Sequence, residues 1–264
     1  MIHIQPPGQN KVNAAGITFR QLLTHTSGLP AWRPLFKQLN PDTARRLVYE
    51  TFFSYVPGEK ILYSDIGMLL LGFAVEKLTK LPLEQVIQEY ICLPLGLWRT
   101  AYCPLKGVMP LGSVVPTEFY AWNQRYNFGE VHDENTSFLG GVSGHAGIFA
   151  TAPELAYFGQ TFLYDSMLKA ETISQMTSLQ AQEGDIRQGL GFRLWSPDPE
   201  SSSYPLGQRA FGLTGLTGTS LWMEPEKGLV ITLLTNHVYY GQKAEKIEKF
   251  RLKLHEVIYE YFSY

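Results

Sequence analysis

Two short segments carry the residue types and spacing that catalysis would need. Tyr63-Ser64-Asp65 stands directly ahead of a long apolar run. A helix starting there would aim free backbone N–H groups and a partial positive charge at the triplet. A tyrosine held at such a point can have its phenol shifted toward phenolate and serve as a general base or proton relay. The plain alternative is that Ser64 caps the helix and Asp65 complements its dipole. The second segment, Phe211-Gly212-Leu213-Thr214-Gly215-Leu216-Thr217-Gly218-Thr219, reads as a strand with small residues where a ligand could approach the backbone. It has a hydroxyl at Thr214 and N–H groups beyond it that could form an oxyanion hole. A glycine-rich strand bend is the alternative.

Other polar clusters promise less. His132-Asp133-Glu134-Asn135 has no metal-ligand spacing and no second histidine cluster beside it, so it reads as a solvated turn and no metal is expected. His145 reads as a hydrogen-bonder that steadies its loop. Cys92 and Cys103, eleven positions apart, fit buried structural thiols better than a disulfide framework. A Gly-x-Ser-x-Gly elbow, a Walker loop and a dinucleotide fingerprint are all absent, so no cofactor is expected.

The elements that must position these segments follow from periodicity. Helices are expected over 17–26, from the Asn40-Pro41 cap to about Phe53, over 65–80, from Pro82 to near Pro94, over 152–163 and over about 171–179. The 65–80 helix is apolar on nearly every side and should be central. Residues 94–150, rich in Gly, Pro, Asn and aromatics, read as long loops with a few short strands. Strands are expected over 191–195, 210–215, 219–223 and 229–236, with a hairpin turn at Glu224–Gly228. Residues 243–261 form an amphipathic helix that should pack on the sheet. The expected class is α+β, one domain with a mainly helical lobe (17–185) and a sheet with its C-terminal helix (189–264).

Taken in order, four segments resemble the β-lactamase-related, penicillin-binding-protein-like serine hydrolases, nearest their class C β-lactamase and esterase branch. They are Ile17 to Pro30 (ITFRQLLTHTSGLP), Tyr63-Ser64-Asp65 as a Tyr-x-Asn-like motif, Gly144 to Leu155 (GHAGIFATAPEL), and Gly212 to Trp222 as a Lys/His-Thr-Gly-like motif. The resemblance implies a β-lactamase/transpeptidase-like fold and β-lactam, ester, amide or cell-wall-peptide substrates. It assigns Tyr63, Asp65, Thr214 and Gly215 to the catalytic positions, and Leu213 and Leu216 to the oxyanion and substrate-binding edge. The stretch from His132 to Gly147 looks closer to enzymes of cell-wall fragment turnover than to dedicated β-lactamases.

Three departures matter. The family nucleophile is the serine of a Ser-x-x-Lys helix that precedes the first of these segments, whose lysine takes the serine proton. Here the only Ser-x-x-Lys is Ser166-Met167-Leu168-Lys169, after Tyr63 and on the wrong side of that order. Asp65 replaces an amide by a carboxylate, and Leu213 replaces a cation. The expectation is therefore an N-terminally incomplete, nucleophile-free member, a truncated product or pseudoenzyme, without the first strands and the nucleophile helix. The alternatives are a hydrolase completed by an upstream segment or second chain, and a non-catalytic module that binds cell-wall peptide or protein through Tyr120, Trp122, Tyr126 and Phe128.

Composition narrows the partners. With 264 residues, 45% hydrophobic and 17% charged, the chain can bury a substantial core. A net charge of −2 without a Lys/Arg run argues against nucleic acid. The longest apolar stretch, Ile66 to Val75, is far short of the roughly 20 residues that span a bilayer. Met1 to Gly8 has neither a basic nor a continuous apolar region, so the chain as written reads as cytoplasmic, with original export left open. The expected partners are a small-molecule or peptide ligand, and a second copy or partner covering an exposed sheet edge.

Overall fold

The computed structural model describes residues 16–107, 111–121, 124–164, 167–241 and 244–263. Met1 to Gly8, Trp122, Ser166 and Lys243 lie outside them. The chain forms two compact units: one from the residues up to 114 together with 129–149, the other from 115–128 together with 150–264.

The first unit is built around one helix. Short α1 (Phe19–Leu23) opens on a capping box in which Thr18 accepts from the Gln21 N–H and the Gln21 side chain accepts from the Thr18 N–H. It ends well before the expected residue 26 because His25 takes a left-handed φ of 56°. The Asn40-Pro41 cap opens α2 (Pro41–Tyr49) as the sequence implies. This helix stops four residues short of Phe53, where the Thr51 hydroxyl donates to the Leu47 carbonyl at 2.8 Å and so turns the chain. Ser64 then caps α3 (Asp65–Thr79), whose Ile66, Leu69, Leu70 and Phe73 are buried against Leu22, Leu29, Leu35, Ala44 and Val48. The helix expected from Pro82 is broken into α4 (Leu83–Ile87), a wider π-type turn over Gln88–Cys92, and α5 (Leu93–Leu95). Strand β1 (Ala101–Tyr102) belongs to this unit as well.

Between the two stretches of the first unit, β2 (Phe119–Tyr120) and β3 (Arg125–Tyr126) form a small hairpin of the second unit. The chain then returns to the first unit through α6 (Glu134–Phe138) and β4 (Ile148–Phe149), which pairs antiparallel with β1. The His132–Asn135 segment is thus no solvated turn. Asp133 caps α6 through the Thr136 N–H at 2.6 Å, and fully buried Asn135 accepts from the Leu35 and Phe36 N–H groups while donating to the Arg33 carbonyl. Buried backbone groups need partners, and this side chain supplies three of them.

The second unit is a six-stranded antiparallel sheet with helices on both faces. After α7 (Ala152–Gln160) and α8 (Ala170–Thr177) come β5 (Ala181–Glu183), β6 (Ile186–Gln188), β7 (Arg193–Leu194), β8 (Phe211–Thr214), β9 (Ser220–Glu224) and β10 (Leu229–Leu233), in the spatial order β10-β9-β8-β7-β6-β5. The β5–β6 hairpin is absent from the sequence expectation because its mainly polar strands show no apolar alternation. The expected 229–236 strand stops at Leu233; beyond it the Thr235 hydroxyl donates to Gly218 O and the His237 N–H to Thr217 O. Alternation along β8 and β9 sends Phe211 and Met223 to one face, among Phe162, Ile173, Phe192 and Leu194. Trp222 goes to the other, with Leu206, Ala210 and Ile231, against Ile258 and Tyr259 of α9 (Ala244–Tyr261). Among the described residues no helix is long and apolar enough to cross a membrane.

Candidate functional site

In the first unit, one close backbone contact assembles a buried polar cluster. An added Cβ on Gly144 would lie 2.2 Å from the Met68 carbonyl oxygen of α3, so only glycine lets the 143–147 loop lie on that helix. Tyr102 anchors the same loop by donating to Ser143 O at 2.7 Å. This docking brings the His145 ring beside the first turn of α3, where one ligand atom each from Asp65, Asp133 and His145 falls within 4.8 Å of the others. His145 Nε2 is 3.2 Å from Asp133 Oδ1, and Nδ1 is 3.0 Å from the buried Ser143 hydroxyl. Thr136, also buried, reaches both Ser143 Oγ at 2.8 Å and His145 Nε2 at 3.3 Å.

The two carboxylates respond in opposite directions. Burial alone would raise Asp133, but the hydrogen bonds from His145 and Thr136 and the imidazole charge outweigh it and hold the group below its ordinary value. Asp65 is raised, chiefly by burial; the Asp133 charge adds to this and His145 opposes it. Ser64 performs the structural role open to it: its hydroxyl accepts from the Gly67 N–H at 3.1 Å and donates to Pro30 O at 2.7 Å. Tyr63 stays half exposed at the mouth of this turn, its ring 4.6 Å from that of His25.

In the second unit, Thr214 ends β8 and pairs with Ser220 of β9. The turn beyond it is closed: the Gly215 N–H donates to Thr219 O at 2.7 Å and the Gly218 N–H to Gly215 O at 3.1 Å. The Gly215 N–H is therefore spent within the turn. Gly218 has a φ of 102°, and a side chain there would meet Thr235 Oγ1 at 2.1 Å. Two side chains that the sequence reading missed hold this turn from outside. Arg251 Nη2 donates to Gly215 O and Thr219 O at 2.9 and 2.8 Å, and His237 Nε2 donates to Leu216 O at 2.7 Å. Leu213 and Leu216 are solvent-exposed, at 42% and 68%, so a leucine occupies an accessible position where a cation was looked for.

Tyr63 and Asp65 thus lie together in the first unit, and Leu213, Thr214, Gly215 and Leu216 in the second. Asp133, His145, Ser143 and Thr136 were not recognised as a set. The one signal was the Asp133–Thr136 spacing of a helix cap. No local pattern links Asp65 to residues some 70 positions later.

Residues 3–256 match the β-lactamase family model. The chain belongs to the β-lactamase family. Curated relatives include a putative D-alanyl-D-alanine carboxypeptidase of Escherichia coli O157:H7, 32% identical over 245 residues, covering 81% of this chain and 56% of the relative. One from Salmonella typhimurium LT2 is 30% identical over 259 residues, covering 87% and 58%. The chain therefore spans less than two thirds of the length of these relatives. Among solved structures, simvastatin synthase from Aspergillus terreus superposes with a TM-score of 0.69 at 19% identity, covering 98% of this chain and 70% of that one. The octameric penicillin-binding protein homologue from Pyrococcus abyssi gives 0.68 at 20%, covering 96% and 58%. The fold is the α+β β-lactamase/transpeptidase type.

Proposed function

We propose that these 264 residues form the substrate-binding frame of a D-alanyl-peptide-type serine hydrolase and do not perform acyl transfer unaided. The observation that carries this reading is a pairing of presence and absence. The motif-like segments stand in the family's sequence order, from Tyr63-Ser64-Asp65 to Thr214-Gly215, whereas no Ser-x-x-Lys precedes Tyr63 within these 264 residues. Without a serine whose proton a neighbouring amine can take, an acyl-enzyme has no route to form. Asp133 and His145 do not replace that machinery, because the Ser143 hydroxyl beside His145 is buried and engaged with Ala146 and Thr136. A nucleophile helix from outside these residues would complete the enzyme.

The relatives' name supports an N-acyl-D-alanyl-D-alanine ligand. Saturation-transfer NMR with such a dipeptide tests the reading. Transfer to the ligand with no release of D-alanine over a day is the expected result. Steady D-alanine release, or no saturation transfer at millimolar ligand, would contradict it.

A ligand-binding module without turnover is favoured by a different observation. Tyr126 stacks on Tyr239 at 4.4 Å and 6°, with Phe119 edge-on to Tyr126 at 5.2 Å, so the second unit presents a partly exposed aromatic ladder. Such rings suit a sugar or peptide face. Trp122 of the same loop lies outside the described residues.

A further inference from the structure

We propose that Asp65, Asp133 and His145 form a binding site for one divalent cation of the zinc class, with a fourth position open to water or a ligand. The reading of the whole chain as a hydrolase frame is not needed for this, because the argument uses only the cluster's own chemistry.

The donor set is two carboxylates and one imidazole, the mixture of O and N ligands that Zn²⁺ accepts at about 2.0–2.2 Å. Ligand atoms around one such ion stand roughly 3–4 Å apart, by the geometry of those bond lengths. His145 Nε2 and Asp133 Oδ1 are already 3.2 Å apart, and the three ligand atoms all fall within 4.8 Å of one another. Small side-chain adjustments would close that set on one ion.

Charge gives the second reason. Two carboxylates meet in this cluster, and His145 is the only group among the causes acting on Asp65 that offsets their charge. No described residue donates a hydrogen bond to the Asp65 carboxylate; burial and the charges of His145 and Asp133 are all that act on it. A half-buried carboxylate without a donor is costly and calls for a cation. Asp65 is also the position at which this chain departs from the amide of the related motif, and that departure creates the third ligand.

Orientation is the third. The His145 side chain is 3% exposed, and its Nδ1 meets the Ser143 hydroxyl, which in turn can donate to Ala146 O at 3.1 Å. Nε2 stands 3.2 Å from Asp133 Oδ1 and 3.3 Å from Thr136 Oγ1, so the ring presents this nitrogen to the carboxylate pair while Nδ1 is held by Ser143. On metal binding Nε2 would give up its hydrogen bond to Asp133 and turn its lone pair to the ion, with the Ser143 hydroxyl as the outer partner of Nδ1–H.

The test is isothermal titration calorimetry of the full 264-residue chain, stripped with chelator, against ZnCl₂ at pH 7. It is repeated on Asp65→Asn, which keeps the side chain's shape and leaves the Ser64 cap in place, and on His145→Gln, with circular dichroism to show that each is folded. One equivalent should bind, and each variant should lose affinity by about tenfold or more. An upward thermal shift with zinc should appear in the parent chain and vanish in Asp65→Asn. No binding by the folded parent chain would overturn the proposal. Equal binding by folded Asp65→Asn would overturn it too, since zinc would then sit on other donors. If His145→Gln fails to fold, the Asp65→Asn comparison decides alone.

Discussion

Gly144→Ala should be among the most damaging single-methyl changes in the first unit. The new Cβ would stand 2.2 Å from Met68 O and 3.0 Å from the Met68 carbonyl carbon, whereas a carbon in ordinary contact with a carbonyl oxygen lies about 3.3–3.6 Å away. Relief needs a separation of about 1 Å, set by the difference between those distances. The obstacle is backbone in the first turn of α3, held by the helix's hydrogen bonds and the Ser64 cap, so the loop must move instead. Overpacking of this kind costs roughly 1–3 kcal/mol. A loop shift of that size would also stretch the 3.0 Å Ser143–His145 and 3.2 Å His145–Asp133 contacts beyond useful length, each worth about 1 kcal/mol. The total is about 3–5 kcal/mol. Urea unfolding at pH 7, read by tryptophan fluorescence, measures it, and the His145 ring resonances report the displaced loop. Gly112→Ala, with nothing within 4 Å of its added methyl, is the control and should change stability by under about 0.5 kcal/mol. A cost for Gly144→Ala below about 1 kcal/mol with unmoved His145 resonances would refute the claim that this contact builds the cluster.

Asn135→Ala should cost about 3–5 kcal/mol in the same urea assay, because two buried N–H groups and the Arg33 carbonyl lose their partner together. Arg251→Met should raise the hydrogen-exchange rate of the Gly215 amide and cost about 2–4 kcal/mol, since one buried guanidinium nitrogen ties two carbonyls of that turn. The acid side of the stability curve should separate the two carboxylates. Asp133 is held low when folded, so its contribution is present above the ordinary carboxylate range and is lost as pH falls through its folded value; His145→Gln should flatten that loss. Asp65 is held high, so its contribution is present below the ordinary range and lost as pH rises through its folded value. Asp65→Asn should therefore gain on the parent chain as pH is raised, in urea midpoints from pH 3 to 7. Leu213→Lys, at an exposed strand position, should leave stability within about 0.5 kcal/mol. In a fluorescence titration it should strengthen binding of an N-acyl-D-alanyl-D-alanine by about tenfold, which is 1.4 kcal/mol.

How far the sequence carried depends on whether a feature is local. The α3 helix, its Ser64 cap and the apolar residues it buries follow from period and capping alone, and they appear with an end shifted by one residue. The Asn40-Pro41 start is equally local, but the α2 end depends on the Thr51 hydroxyl and Arg33, 18 positions apart, and was misplaced. The β5–β6 hairpin was missed because strands at the sheet's end need no apolar alternation. The same distinction governs the site. Tyr63, Asp65, Thr214 and Gly215 were visible as short motifs, whereas the Asp133–His145 pair and the Arg251 clamp arise from contacts across 12, 32 and 36 positions. Asp133 looked like a solvated turn because the helix it caps through Thr136 is only five residues long, too short to leave a period.

The central proposal is that these 264 residues bind a ligand as a β-lactamase-family frame without a serine that forms an acyl-enzyme. Intact-protein mass spectrometry of the folded 264-residue chain, after incubation with a fluorescent penicillin and separately with a fluorophosphonate, tests it most directly. The predicted result is an unmodified mass with both probes. A stoichiometric adduct with either would contradict the claim, and the modified peptide would then identify the nucleophile.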